Sequence, residues 1–301
     1  MDQTIQQSII KISLPNEFNF EQCLVFLTRS EQEVMHQVRD GFLYKLINID
    51  QELVLCKISY QSHVLLVHLL RNVHNKNVHE AVAAYIREWF DLDRDLRNFY
   101  LLSLEDKVLH EVVPAYFGLR IIGIPDLFEA LTWAVIGQQI NLTFAYMLKK
   151  RFVERFGESL TFEGTTYWLF PSPDVISNLQ VQHLIDLQFT RRKAEYIIDI
   201  AKTIANGQLT KQMLLQKDVQ QMTETLLSLR GIGAWSANYV MMKCLHHASA
   251  FPIADVGLQN ALKRELKLER KPTVEEIKEV SKNWGGYEAY ATFYLWQSLS
   301  D

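Results

Sequence analysis

Asp255 stands in the segment Phe251-Pro-Ile-Ala-Asp-Val256, where an acid follows a proline-led loop and opens a helix. A carboxylate in that place caps the helix by accepting from a free backbone N–H. It can also stabilise positive charge on a neighbouring reacting carbon and orient or deprotonate a water molecule. Twenty residues earlier comes Trp235, inside the stretch Leu226-Leu-Ser-Leu-Arg-Gly-Ile-Gly-Ala-Trp-Ser-Ala-Asn-Tyr-Val240. An apolar helix stops there at Leu229, Gly231-Ile232-Gly233 follows, and a second helix starts near Ala234. Two glycines allow a tight turn with positive φ and leave backbone N–H groups open to approach. Ile232 between them can plug the gap between the helices. The start of the second helix then presents free N–H groups to a phosphate oxygen. The segment reads as a helix–hairpin–helix that grips a DNA backbone through Gly231, Ile232, Gly233 and Ala234 without reading sequence. Taken alone, a two-glycine turn between helices looks the same. Asp255 downstream separates the two readings.

The elements that must position these residues fall into two groups. Residues 1–110 read as a mixed α+β domain. Ile9–Leu14 alternates apolar and polar residues, and Phe42–Ile49, Leu53–Tyr60 and Val64–Leu70 form a meander of short β-formers divided by turn residues. Phe20–Thr28 and Glu31–Val38 read as short helices, and Val78–Phe90 as an amphipathic one. Residues 111–301 read as helices only. Asp126 and Glu129 make a capping box, Gly157 and Asn206-Gly207 end two helices, and Thr273 with Glu276 caps another. Strands first and helices later predict an α+β N-terminal domain followed by an all-α domain.

Composition sets the bounds. The chain has 301 residues, 48% of them hydrophobic, which is enough for a substantial core. No basic segment followed by an apolar run opens it, and no apolar stretch is long enough to span a bilayer, so a cytoplasmic protein without a membrane partner is expected. Cys23, Cys56 and Cys244 are scattered and odd in number, and no CxxC pair exists, which excludes a cysteine-held zinc or iron–sulfur site. The net charge of −4 weighs against nucleic acid, yet helix N-termini bind phosphate without net positive charge. The clusters Lys149-Lys150-Arg151 and Arg191-Arg192-Lys193 read as solvated surface, and His246-His247 as exposed loop.

The hairpin with its downstream aspartate resembles the helix–hairpin–helix (HhH-GPD) DNA glycosylase superfamily, and within it the AlkA-type 3-methyladenine glycosylase II branch. The resemblance runs through Gly118-Leu-Arg-Ile, Phe128-Glu-Ala-Leu leading into Ile136-Gly-Gln-Gln-Ile140, Phe170-Pro-Ser-Pro, Arg192-Lys-Ala-Glu-Tyr196, the hairpin itself, and Trp284…Tyr290-Ala291…Trp296. It implies a TATA-binding-protein-like antiparallel sheet with helices, then a helical catalytic domain. It also implies monofunctional hydrolysis of the N-glycosidic bond of flipped, alkylated bases such as 3-methyladenine and 7-methylguanine, in damaged double-stranded DNA, by a monomer.

The resemblance assigns roles residue by residue. Asp255 is catalytic. Trp235, Tyr239, Trp296 and Phe26 line the base pocket, where flat aromatic faces suit a cationic base. Gln138 and Gln139 form the wedge that fills the gap in the stack. Strand-cutting relatives carry a lysine nucleophile at position 235, and Trp235 cannot form a Schiff base. No cofactor is expected. Relatives hold a monovalent cation, Na+ or K+, on hairpin carbonyls, and the matching carbonyls are those of Leu227, Leu229 and Gly231. Two departures stand out: Val256 replaces a tyrosine common after the acid, and Trp284-Gly-Gly-Tyr-Glu288 lacks the family's Pro and Arg. Tyr294 and Trp284 read as core. The rival readings are a glycosylase for oxidised or deaminated bases and a non-catalytic DNA-binding protein.

Overall fold

A computed structural model describes residues 8–70 and 76–299; the first seven residues, on which the reading of the N-terminus partly rests, lie outside them. Five strands, β1 (Ile9–Ser13), β2 (Gln37–Arg39), β3 (Phe42–Ile49), β4 (Glu52–Gln61) and β5 (Val64–Leu69), form an antiparallel sheet in the order β1-β5-β4-β3-β2. The β3–β4 hairpin turns through Asp50 and Gln51, both at positive φ, the geometry whose twist matches paired strands. Inward residues of the meander, such as Leu43, Ile58 and Val67, are fully buried, as alternation predicts. Against the sheet lie α1 (Phe20–Leu27) and α2 (Lys76–Trp89), followed by α3 (Arg97–Glu105) and α4 (Leu109–Ala115).

The second group holds α5 (Leu127–Ile136), α6 (Leu142–Phe156), α7 (Pro173–Ser177), α8 (Val181–Ile185), α9 (Arg191–Ala205), α10 (Lys211–Leu215) and α11 (Val219–Leu227). After these come α12 (Ala234–Lys243), α13 (Val256–Glu265), α14 (Val274–Val280) and α15 (Glu288–Ser298). Their starts follow the sequence: Asp126, Asn141, Thr190, Asp218 and Asp255 each accept a backbone N–H three residues on. The two groups share one continuous buried core, which runs from Ile12 and Phe18 through Phe128 and Leu131 to Tyr294 and Leu295. Trp284 and Tyr294 lie fully inside it, as expected.

Four expectations need correction. Glu31–Val38 is not a helix: the Glu33 carboxylate accepts from the N–H groups of Val34 and Met35, which diverts the backbone, and Gln37–Arg39 pairs as β2. The later region is not helical throughout. It contains a hairpin of β6 (Ser159–Phe162) and β7 (Thr165–Trp168), turned by Glu163-Gly164 at positive φ. Its Tyr167 packs on Leu46, Leu55 and Leu70 of the large sheet, and its hydroxyl accepts from Arg39 at 2.5 Å. His246 is not loop surface: it is largely buried, 3.5 Å from Asp91, and close enough that a side chain at Gly123 would meet its ring.

The fourth correction concerns the basic clusters. Lys149 is buried and bridges Glu33 and Glu129, each at 3.2 Å. This triad ties the segment after α1 to α5 and α6. Burial would raise the Glu33 carboxyl, but Lys149 and His36 outweigh it and hold the group at about 2. Lys193 is also buried, and its Nζ donates to the carbonyls of Ile136 and Gln138, closing the end of α5.

Removing Lys149 strands two buried carboxylates. Lys149→Met is expected to cost about 3–5 kcal/mol, read from the urea midpoint, and an added Glu129→Gln should restore part of it. A midpoint unchanged by Lys149→Met would contradict the triad's role. A carboxyl held at about 2, below its ordinary 4.5, stabilises the fold above 4.5. That contribution should drain away as the pH falls toward 2, and acid titration of Glu33→Gln should lack this part of the loss.

Candidate active site

Asp255 is the N-cap of α13, its Oδ1 accepting from the Leu258 amide at 2.7 Å. The same oxygen accepts from Trp296 Nε1 at 2.7 Å, and Oδ2 accepts from Trp235 Nε1 at 2.8 Å. The carboxylate is therefore held by three N–H donors from α12, α13 and α15. A carboxylate offers about four acceptor positions, so room remains on Oδ2 for a water or a reacting group. The group is partly exposed, not sealed in. Gly257 is the silent member of this arrangement: a Cβ there would stand 2.9 Å from Asp255 Oδ1 and 3.1 Å from the Trp296 ring. Any side chain would push the indole off the carboxylate. Sequence reading passed over Gly257, because its neighbours come from a helix far along the chain.

The aromatic residues gather beside the acid. Trp235 stacks on Tyr239 with ring centroids 5.4 Å apart, and Tyr239 lies 6.2 Å from Trp296. Phe26 lies behind this trio. It packs on Phe293 at 4.5 Å under the Arg29 guanidinium at 3.9 Å, and Phe293 in turn meets Trp296. Phe26 and Tyr239 instead share an inner cavity with Trp133, Tyr146, Arg29 and Lys243. Tyr239 is thus the wall common to the surface trio and the cavity, and burial pushes its phenol upward against the pull of Arg29. Val256 is 56% exposed, so the position after the acid supplies no closed wall.

The hairpin takes the expected shape with one change. Gly231 alone has positive φ, at 91°, and a Cβ there would strike the Tyr196 ring at 2.3 Å. Gly233 has φ of −97°, and open space surrounds the place where its Cβ would stand. It caps α12 without a side-chain bond, which leaves the first N–H groups of that helix bare beside Ala234. Ile232 is buried between the two helices. The carbonyls of Leu227, Leu229 and Gly231 are hard oxygen donors of the kind an alkali cation takes. Leu229 O accepts from the Ile232 amide and Gly231 O from Gln138 Nε2, each leaving a lone pair.

The two glutamines separate. Gln138 Nε2 donates to Gly231 O at 2.8 Å and to Ser236 Oγ at 3.1 Å, which fastens the turn after α5 to the hairpin. Gln139 is exposed and held at φ of 56°. Lys193 secures the same turn from below. Nothing in the local sequence around Lys193 marks it out from its surface neighbours Arg191 and Arg192.

The HhH-GPD superfamily base excision DNA repair protein model matches residues 132–286, and the model of the 8-oxoguanine DNA glycosylase N-terminal domain matches residues 4–131. The chain is 43% identical to the DNA-3-methyladenine glycosylase of Bacillus subtilis (strain 168) over 97% of each chain. It is 29% identical to DNA-3-methyladenine glycosylase 2 of Escherichia coli (strain K12) over 60% of each. Among solved structures, the 3-methyladenine DNA-glycosylase from Archaeoglobus fulgidus superposes with a TM-score of 0.84 at 26% identity, covering 95% of this chain and 97% of that one. The apo 8-oxoguanine glycosylase/lyase of Clostridium acetobutylicum shares the fold, with a TM-score of 0.74 at 20% identity over 97% and 98%. The chain belongs to the HhH-GPD superfamily of base excision DNA repair proteins.

Proposed function

We propose that the protein is a monofunctional DNA glycosylase that releases alkylated bases of the 3-methyladenine type from damaged duplex DNA. The observation that carries this reading is the Asp255 carboxylate, oriented by two indole N–H groups whose rings form the aromatic face beside it. Support for the base class comes from the Bacillus subtilis relative, a DNA-3-methyladenine glycosylase by name.

The chemistry follows from charge. A base alkylated at N3 or N7 is cationic and leaves as a neutral molecule, so little protonation of the leaving group is needed. Positive charge then builds on the sugar carbon, and Asp255 stabilises it while its free lone pair orients or deprotonates the attacking water. Trp235, Tyr239 and Trp296 offer π faces to the cationic base. The base must leave the helix to reach them, and Gln139, projecting from a turn that Gln138 and Lys193 hold rigid, takes its place in the stack. The bare N–H groups at Gly233 and Ala234 take a backbone phosphate. A Na+ or K+ ion on the carbonyls of Leu227, Leu229 and Gly231 would add positive charge at that phosphate. All site residues come from one chain, and the proposed enzyme acts as a monomer. Among the described residues no helix is long and apolar enough to cross a membrane.

Position 235 carries an indole, which has no amine to attack the sugar. Lys149 and Lys243, which would look like surface amines from sequence, are buried at 6% and 2% exposure and are not free to react at the DNA face.

Asp255→Asn should lower single-turnover release of 3-methyladenine by at least about a hundredfold, with duplex binding changed little. Release near the wild-type rate would remove Asp255 from the mechanism. Borohydride added during turnover should trap no protein–DNA crosslink, and strands should break only after alkali. Trapping in step with base release would show that an amine attacks the sugar and would overturn hydrolysis by water.

A further inference from the structure

Trp235, Tyr239 and Lys243 stand at i, i+4 and i+8 of α12 and so share one face of that helix. Trp235 bonds the carboxylate at the DNA-facing end. Lys243 ends the stripe, about 12 Å further along the axis at 1.5 Å per residue. Its side chain is 2% exposed and lines the inner cavity behind Tyr239. We propose, resting on the base-pocket reading above, that Lys243 is a specificity-determining residue at the inner end of the pocket, where the charge on its amine sets the preference between cationic and neutral bases.

The surroundings of Lys243 isolate its amine. Among the described residues no carboxylate pairs with it, and its neighbours are the rings of Phe26 at 4.8 Å and Phe293 at 4.6 Å. The charged groups around the cavity are already engaged. Lys149 on α6 takes Glu33, from the segment after α1, and Glu129, on α5. Lys45 on β3 donates to the Met35 carbonyl, and His36 bonds the Leu27 carbonyl. Arg29 donates to Tyr146. Tyr85 and Tyr239 complete the titratable lining. Burial first, then the like charges of Arg29 and Lys149, hold the Lys243 amine well below its ordinary value. An uncharged amine there adds no further positive charge beside Arg29 and Lys149, which favours a cationic base. Once protonated, the same amine repels a cationic base while a neutral base loses nothing by Coulomb's law. The sugar carbon lies at the Asp255 end, so the amine acts on the base and not on the bond being cut.

The experiment compares single-turnover release of 3-methyladenine from methylated duplex with release of hypoxanthine, a neutral base, as a ratio across pH. Effects of pH on the bond-breaking step common to both substrates cancel in the ratio. In the wild type the ratio should fall about tenfold or more as falling pH puts the proton on the Lys243 amine. In Lys243→Met, similar in length and without charge, the fall should be largely absent. In Lys243→Arg, a permanent cation, the ratio should stay at the low acid value throughout. A ratio that falls alike in wild type and Lys243→Met overturns the inference alone, and so does one that stays high in Lys243→Arg. Release of neither base by the wild type overturns the alkylated-base reading, and this inference with it.

Discussion

One carboxylate sets the terms for three helices. Asp255 accepts from the start of its own helix, from the first turn of α12 and from the last turns of α15. Each bond has narrow limits of length and direction, so the three helices can meet in few ways. Gly257 exists to let α15 come close enough, and the buried faces of α12 and α15 hold the indoles where the bonds need them. The aromatic faces beside the acid are a by-product of the same geometry. The indoles that hold the carboxylate also form the aromatic surface beside it.

A second constraint joins the turn after α5 to the hairpin. Gln138 links the turn after α5 to the Gly231 carbonyl, and Lys193 holds that turn from α9. Tyr196, one turn further along α9, supplies the ring against which Gly231 closes. The hairpin, the exposed Gln139 and the acid thus belong to one framework of short polar bonds, although they lie far apart in sequence.

Sequence reading reached the hairpin and Asp255 because their signals are local: a glycine pair, a helix start, and a fixed spacing to the acid. It reached the meander for the same reason, through alternation and turn residues. It missed the ion triad because Glu33 and Lys149 are 116 positions apart, and a run of basic residues looks alike whether one of them is buried or not. It placed a helix over Glu31–Val38 because helical spacing cannot reveal that a carboxylate will take two backbone amides. It missed the β6–β7 hairpin even though Glu163-Gly164 between β-formers is a turn signal, because the helical pattern on both sides dominated. The burial of Lys243 is not legible in sequence, because helical periodicity does not say how thick the layer over a helix will be.

The continuous core has a kinetic consequence. The inner cavity lies along the seam between the sheet-bearing half and the helical half, a place where many enzymes open by swinging one domain from another. Here the seam is filled by close-packed side chains and crossed by the Lys149 triad, and hinge opening would expose all of it to water. Tyr239, which lines the cavity, rests between Trp235 and Trp296. Side chains at this seam can change rotamer far faster than two such halves could swing apart.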